Sequence, residues 1–261
     1  MTERTSVLTV KARRSGAPAL EARAVLRPAV RRLGAVALGF AGGWAVLYGA
    51  LMPFGLGLVL GLAEDCFAPC AAGAALGVLL HGFGALSLRS VCLLCALGAA
   101  VAVRWVWPGR SLPAVLAGCG TLAAMGLCFA LGTGGGAELA LFCTADALLA
   151  GLLGLALRRF PPEKPGFGTL LTGAAVAAAL GNLPLERFFP GVAVCAAVEL
   201  VLCSRGQPGA ALACSGMLGA ALCAADPALA CGAAGLACGA SAACILAPGR
   251  RVDRNIPFQL T

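Results

Sequence analysis

Residues 112–131 read LPAVLAGCGTLAAMGLCFAL, and residues 138–157 read ELALFCTADALLAGLLGLAL. Each run supplies about the 20 apolar residues that one helix needs to cross the hydrocarbon core of a bilayer. Runs of this kind fill almost the whole chain from Leu33 to Leu246, and charged residues are confined to short breaks or isolated positions. The sequence therefore predicts a polytopic membrane protein.

The composition excludes an ordinary soluble domain. Of the 261 residues, 60% are hydrophobic and only 11% are charged, and the mean hydropathy is +0.94. This leaves too little polar surface for a water-facing exterior. In lipid, the spanning elements must be helices or a closed barrel, because every backbone polar group has to be bonded internally. The runs lack the period-two alternation of barrel strands, so we predict an all-α transmembrane helix bundle.

Charges, prolines and glycines divide the chain into ten apolar segments. These span residues 34–50, 52–63, 66–86, 90–107, 112–131, 138–157, 168–184, 188–203, 208–224 and 227–247. The second segment is short and begins at Pro53, so it is either a half-helix or the end of one long kinked span. With ten crossings and a cytoplasmic amino terminus, every basic residue except Arg89 and Arg187 lies on the inner side, as the positive-inside rule requires. We therefore expect about ten crossings, with both termini cytoplasmic.

The chain divides into a basic arm at 1–32, a transmembrane domain at 33–247 and a short cytoplasmic tail at 248–261. The net charge of +8 does not indicate nucleic acid, because the arm has no interleaved aromatic residues. A basic segment beside a membrane helix is typical of cytoplasmic retention and of contact with anionic headgroups. We therefore expect membrane lipids as partners, no nucleic acid, and a plasma-membrane location.

Two carboxylic acids lie inside apolar segments. Asp146 falls near the middle of the sixth segment and Glu199 in the eighth, whereas Glu138 is closer to a segment end. Ionisable residues in lipid are costly and often functional, so one hypothesis is a proton or cation path through Asp146 and Glu199. The structural interpretation, which we favour, is that each acid is protonated or paired with a hydroxyl or an arginine inside the bundle.

Fourteen cysteines raise a redox hypothesis. Cys92 and Cys95 form a CxxC near the outer face, which a membrane thiol oxidoreductase could use. Cys66 and Cys70 form a CxxxC near the inner face, too far away to exchange electrons directly with the first pair. Most other cysteines lie in helix interiors, where cysteine behaves as a small hydrophobic residue. His81 is the single histidine, so a histidine metal site is not expected, and we predict no cofactor.

Several glycine-containing runs stand out. Residues 57–61 (GLVLG) and 235–239 (GLACG) have the small-xxx-small spacing that lets membrane helices approach closely. Residues 47–57 read LYGALMPFGLG, residues 208–216 read PGAALACSG, and residues 234–239 read AGLACG. The residues that carry these motifs are Pro53, Phe54, Gly55, Gly57, Gly61, Gly209, Gly216, Gly235 and Gly239.

The order and spacing of these motifs resemble the membrane region of the stage II sporulation protein E family. In that family a Pro-Phe-Gly-Leu element enters the second helix, and glycine-rich runs open the ninth helix and lie in the last one. The resemblance covers about residues 30–250. It implies ten crossings, a location at the asymmetric division septum of a sporulating cell, self-association, and binding to a tubulin-like division protein.

The family's membrane region carries a cytoplasmic regulatory segment and a manganese-dependent serine/threonine phosphatase domain. The sequence ends at Thr261, where the regulatory segment would begin, so the resemblance assigns no phosphatase or manganese-binding residue here. We therefore expect a non-enzymatic membrane anchor and localisation module. The alternatives are a small-molecule or ion transporter that uses Asp146 and Glu199, and a membrane thiol oxidoreductase that uses Cys92 and Cys95.

Overall fold

The fold is all-helical, as predicted. A computed structural model describes residues 17–81, 87–132, 137–162, 166–183 and 189–246; the tail 248–261 and residues 1–16 of the arm lie outside these ranges. The described residues form ten α-helices: α1 (Ala17–Trp44), α2 (Pro53–Gly61), α3 (Phe67–His81), α4 (Leu88–Val106), α5 (Ser111–Gly132), α6 (Ala137–Arg159), α7 (Phe167–Gly181), α8 (Pro190–Ser204), α9 (Pro208–Ala225) and α10 (Ala230–Leu246). A single 3₁₀ turn, Pro227–Leu229, leads directly into α10.

Within the described ranges, five helices are long and apolar enough to cross a membrane: α4, α5, α6, α9, and α10 together with its 3₁₀ turn. Three more, α3, α7 and α8, are apolar but shorter. Large aliphatic side chains such as Leu116, Leu152 and Leu200 are exposed on the outside of the bundle. A soluble protein rarely exposes so many of them, which agrees with a lipid-facing surface.

The second apolar segment is a separate short helix. Its nine residues, Pro53–Gly61, span about 14 Å at 1.5 Å per residue, which is roughly half of a hydrocarbon core. The chain reverses before it at a tight turn in which Leu47 and Leu51 form an antiparallel bridge. Tyr48 and Gly49 have φ values of 51° and 66° there, a pair of left-handed residues typical of a type I′ turn. Therefore α2 does not continue α1.

The turn also joins two packed cores. Helices α1–α6 surround one apolar core, and α7–α10 surround a second core, which includes Ala45 at the end of α1. The side-chain amide of Asn182 donates to the carbonyl of Val46 at 2.8 Å, and the backbone N–H of Tyr48 donates to the carbonyl of Ala224. The turn after α1 thus has its backbone groups bonded to both α7 and α9.

Helices α1 and α3 lie in very close contact. A Cβ at Gly39 would overlap the backbone of Cys70, one at Gly43 would overlap Ala74, and one at Gly73 would overlap the carbonyl of Val36. Because these contacts advance in the same direction along both helices, α1 and α3 run parallel. Both glycine pairs, Gly39–Gly43 and Gly73–Gly77, have GxxxG spacing, and the sequence analysis did not single them out. They allow the two backbones to touch.

Replacing Gly73 by alanine tests this contact. We expect Gly73→Ala to lower the free energy of unfolding by about 1–3 kcal/mol, because the new methyl group must displace the α1 backbone. The control is Gly120→Ala in α5, where a Cβ would meet no atom within 4 Å and where alanine has the better intrinsic helix propensity. Thermal unfolding of both variants in the same detergent compares them. Equal stability of the two variants would contradict the close α1–α3 contact.

Candidate functional site

The amino-terminal end of α2 is bonded to the buried carboxylate of Asp146. The backbone N–H of Met52, just before α2, donates to Asp146 Oδ1 at 2.7 Å. Asp146 belongs to α6 and is completely buried. The first N–H groups of a helix have no partner within the helix, and a negative charge is favourable at the positive end of the helix dipole. Asp146 therefore satisfies the start of α2 both as a hydrogen-bond acceptor and as a charge.

Arg89 neutralises the same carboxylate from the other side. It lies in the first turn of α4, which the hydroxyl of Ser87 caps by accepting from the backbone N–H of Ser90. The Arg89 guanidinium donates to Asp146 Oδ2, and its Cζ lies 5.4 Å from the centre of the Phe142 ring. Both oxygens of Asp146 are thus occupied, one by a backbone amide and one by a cation.

The carboxyl-terminal end of α2 is bonded to two arginines. Arg104 of α4 donates to the carbonyl of Val59 at 2.7 Å and to that of Leu62 at 2.9 Å. Arg158 of α6 donates from Nε to the carbonyl of Leu60 at 2.7 Å. The last carbonyls of a helix lack intrahelical partners and carry the negative end of its dipole, so two cations suit this position.

Two further contacts hold Arg104. Its Nη2 also donates to Glu64 Oε1 at 2.9 Å, and its Cζ lies 4.5 Å from the centre of the Phe67 ring. Only 3% of Arg104 is exposed, so these contacts must stabilise its positive charge. A buried arginine is stable when its donors and its charge are both matched.

We call Arg89, Arg104, Asp146 and Arg158 the α2 clamp. At the carboxyl end of α2, two cations match the helix dipole; at the amino end, Asp146 bonds the helix directly and Arg89 pairs with the other carboxylate oxygen. Eight of the nine residues of α2 are buried, so most of the backbone groups at its ends depend on these side chains for their hydrogen bonds. The clamp provides the bonds that water would otherwise supply.

The clamp arginines are the residues that the sequence analysis missed. Arg104 lies within the predicted segment 90–107, and Arg158 directly follows the segment 138–157, yet both were assigned to inner loops, and Arg89 was assigned to an outer loop. A usable signal did exist for Arg104, because a charge inside an apolar segment is expensive and is therefore expected to have a partner. No signal in the local sequence points from Arg89 to Asp146.

Asp146 and Glu199 are not brought together. Asp146 lies among α2, α4 and α6, beside the first core, whereas Glu199 lies on α8 and faces α10. A Cβ at Gly239 would lie 3.1 Å from Glu199 Oε1. Glu199 is 8% exposed, and its Oε2 has no hydrogen-bond partner in the part of the chain that the structure describes. The predicted path would therefore have to connect two separate cores.

The cysteines of the predicted redox pair have different surroundings. Cys92 is fully buried and Cys95 is exposed. The thiol of Cys92 lies within hydrogen-bonding reach of the thiol of Cys143, on α6. All fourteen cysteines lie within the described ranges. Cys66 and Cys70 lie at the start of α3 and are both buried.

The glycines of the proposed family motifs divide into two groups. Gly57 and Gly61 pack against Leu153 and Leu157 of α6, where a Cβ would overlap both side chains. Pro53 occupies the first turn of α2, a position that needs no N–H donor. Phe54 packs against both cores, and a Cβ at Gly55 would lie 3.3 Å from Gly43. By contrast, a Cβ at Gly209, Gly216 or Gly235 would meet no atom within 4 Å.

Comparison with known proteins gives no relative. No protein-family model, no curated protein and no solved structure matches this chain. Among the described residues, no group of three or more His, Cys, Asp or Glu side chains is arranged to hold a metal ion. The α2 clamp and its surroundings are therefore the features from which a function can be inferred.

A double-mutant cycle tests the Arg89–Asp146 pair. Removing one partner of a buried ion pair leaves the other charge uncompensated, which costs about 3–5 kcal/mol. We expect Asp146→Asn and Arg89→Gln each to lower the free energy of unfolding by that amount, and the double variant to lose less than the sum of the two. Glu138→Gln, in the exposed first turn of the same helix α6, is the control and should have no effect. Additive losses would show that the two charges do not interact.

Proposed function

We propose that this chain is a non-catalytic membrane anchor and localisation module of the plasma membrane. The observation that carries the proposal is the α2 clamp, in which the interior charges hold backbone groups in place. Asp146 uses both oxygens, and Arg104 and Arg158 are bonded to α2 carbonyls. Charged side chains that are bonded to the backbone of a neighbouring helix stabilise one arrangement of helices. A membrane anchor requires such a fixed arrangement.

The cavities also favour an anchor over a transporter. An apolar groove of about 180 Å³ lies between α1 and α7, lined by Phe40, Trp44 and Leu183 among others. A polar pocket lies at the opposite end of α2 from Asp146. Neither cavity is lined by Asp146 or Glu199. A transported cation needs acids that line its path, and these two acids do not line either space.

The proposed topology has ten membrane segments, α2 included, and both termini in the cytoplasm. It is supported by the helix directions, because α1 runs parallel to α3, and α2 to α6: Gly57 meets Leu153 and Gly61 meets Leu157. The positions of the charges agree with this topology. Arg104, Arg158 and the exposed Arg31–Asp65 pair (2.8 Å) all lie at one end of the bundle. The positive-inside rule assigns that end to the cytoplasm.

Epitope insertion tests this topology. We expect tags placed at residue 1, after residue 163 and at residue 261 to be accessible only after the membrane is permeabilised, because all three positions lie on the proposed cytoplasmic side. A tag inserted after residue 134 should be accessible in intact cells and is the matched control. Access to the tag at 261 in intact cells would contradict ten segments and support nine.

Localisation tests the function itself. On the resemblance to the stage II sporulation protein E family, we propose that the partners are other copies of the chain and the tubulin-like division protein at the asymmetric septum. A fluorescent fusion of the full chain, expressed in a sporulating cell with that division protein labelled, is expected to co-localise with it. Uniform fluorescence around the cell membrane would contradict the septal role.

The transporter is the second candidate, and one observation favours it. Half-length helices inside membrane bundles mark substrate sites in several transporter folds, and α2 is such a helix. Glu199→Gln separates the two functions, because Glu199 is not part of the α2 clamp. An anchor carrying this substitution should localise like the wild type, whereas a transporter that uses Glu199 should lose uptake into cells. Cys92→Ala is a second control variant, because Cys92 is also buried and also lies outside the α2 clamp.

A further inference from the structure

A polar pocket of about 350 Å³ lies below the carboxyl-terminal end of α2. The loop after α2 contributes Leu62 and Glu64 to its wall, α4 contributes Arg104, and the end of α6 with the following residues contributes Arg158 and Pro162. Two guanidinium groups and one carboxylate thus surround a space large enough for a phosphate group with several waters. The α2 clamp explains why the arginines are there, but it does not explain the space.

The arginines have more donors than the protein uses. A guanidinium carries five N–H groups, and Arg158 gives one of them, from Nε, to the carbonyl of Leu60. Arg158 Nη2 is buried and has no hydrogen-bond partner among the described residues, and Arg104 Nε is in the same state. Buried donors without partners are costly. Both atoms are closed off from the pocket as the side chains stand, but both residues line it, so a small rotation of either guanidinium would bring a donor to an acceptor bound there.

The charge of the pocket favours an anion. The two arginines face one carboxylate, Glu64, whose side chain is 49% exposed and already bonded to Arg104. Solvent screens an exposed carboxylate more than a buried guanidinium, so positive charge prevails in the interior of the pocket. One planar guanidinium group can donate two parallel hydrogen bonds to two phosphate oxygens, which makes arginine well suited to bind phosphate.

The position of the pocket suits a headgroup as well as a free ion. Trp105 and Trp107 lie at the same end of α4 as Arg104, and both are exposed. Tryptophan is enriched at the level of the lipid headgroups. In the topology proposed above, this end of the bundle faces the cytoplasm, which places the pocket near the headgroups of the inner leaflet.

We propose that this pocket binds a phosphate oxyanion, held by Arg158 and by the charge of Arg104. The phosphate is that of an anionic lipid headgroup or a free inorganic phosphate, and the two sources share this chemistry. The site does not depend on the proposed anchor function, because it requires only the pocket and its two arginines.

The test uses the full chain in nanodiscs of zwitterionic phosphatidylcholine. Inorganic phosphate is titrated in one arm, and phosphatidylglycerol replaces part of the phosphatidylcholine in the other; the readouts are the shift in melting temperature and retention of the ligand in native mass spectrometry. Arg158→Gln is compared with Arg159→Gln, its exposed neighbour. We expect saturable binding in the wild type and in Arg159→Gln, and binding about tenfold or more weaker in Arg158→Gln, since a charge-assisted hydrogen bond is lost.

The two arms identify the source of the phosphate. Saturable binding of inorganic phosphate indicates a free ion, and selective retention of phosphatidylglycerol over phosphatidylcholine indicates a headgroup; either result supports the site. If Arg158→Gln does not fold, Arg158→Lys keeps the charge without the planar fork and should still bind more weakly than Arg159→Gln. Absence of saturable binding in both arms, or equal affinity of the Arg158 and Arg159 variants, would overturn the proposal.

Discussion

A short helix surrounded by apolar side chains needs partners for the polar groups at both of its ends, and this constraint shapes the protein. Because eight of the nine residues of α2 are buried, neighbouring side chains supply most of those partners. Asp146 supplies an acceptor at one end, and Arg104 and Arg158 supply donors at the other. Each of these side chains comes from α4 or α6, so satisfying α2 also determines where those two helices lie.

Small residues make this arrangement possible. Helix α2 can be bonded on both ends only if the neighbouring helices approach its backbone, and glycine removes the side chain that would keep them apart. Gly57 and Gly61 let α6 lie against α2, while Gly39, Gly43 and Gly73 let α1 and α3 touch. The abundance of glycine and alanine thus reflects the need to bring hydrogen-bonding side chains and backbone groups within bonding distance.

The same constraint explains why polar chemistry gathers at the two ends of α2 and not between them. At the Asp146 end, the carboxylate is bonded to an amide and to the Arg89 guanidinium. Arg89 Nε is also buried without a partner among the described residues, but Arg89 lines neither of the two cavities. At the other end the arginines retain unused donors beside a pocket, because two cations meet a few carbonyls and one exposed carboxylate. One end is therefore a structural contact, and the other has unused capacity to bind an anion.

The sequence by itself determined the all-helical class and the placement of most elements: the predicted segments 112–131 and 138–157 match Ser111–Gly132 and Ala137–Arg159 within a few residues, whereas α1 begins at Ala17, inside the predicted basic arm. Hydropathy is a local property, so a one-dimensional pattern suffices for that. Only the tertiary structure decided that the segment after Pro53 is a separate half-helix. It also decided the tertiary contacts: Asp146 pairs with Arg89, Cys92 lies beside Cys143, and only some of the glycines touch a neighbouring helix. The physical reason is sequence separation: the partners of the α2 clamp lie between 40 and 98 residues apart, and helix packing, not the local pattern, selects them.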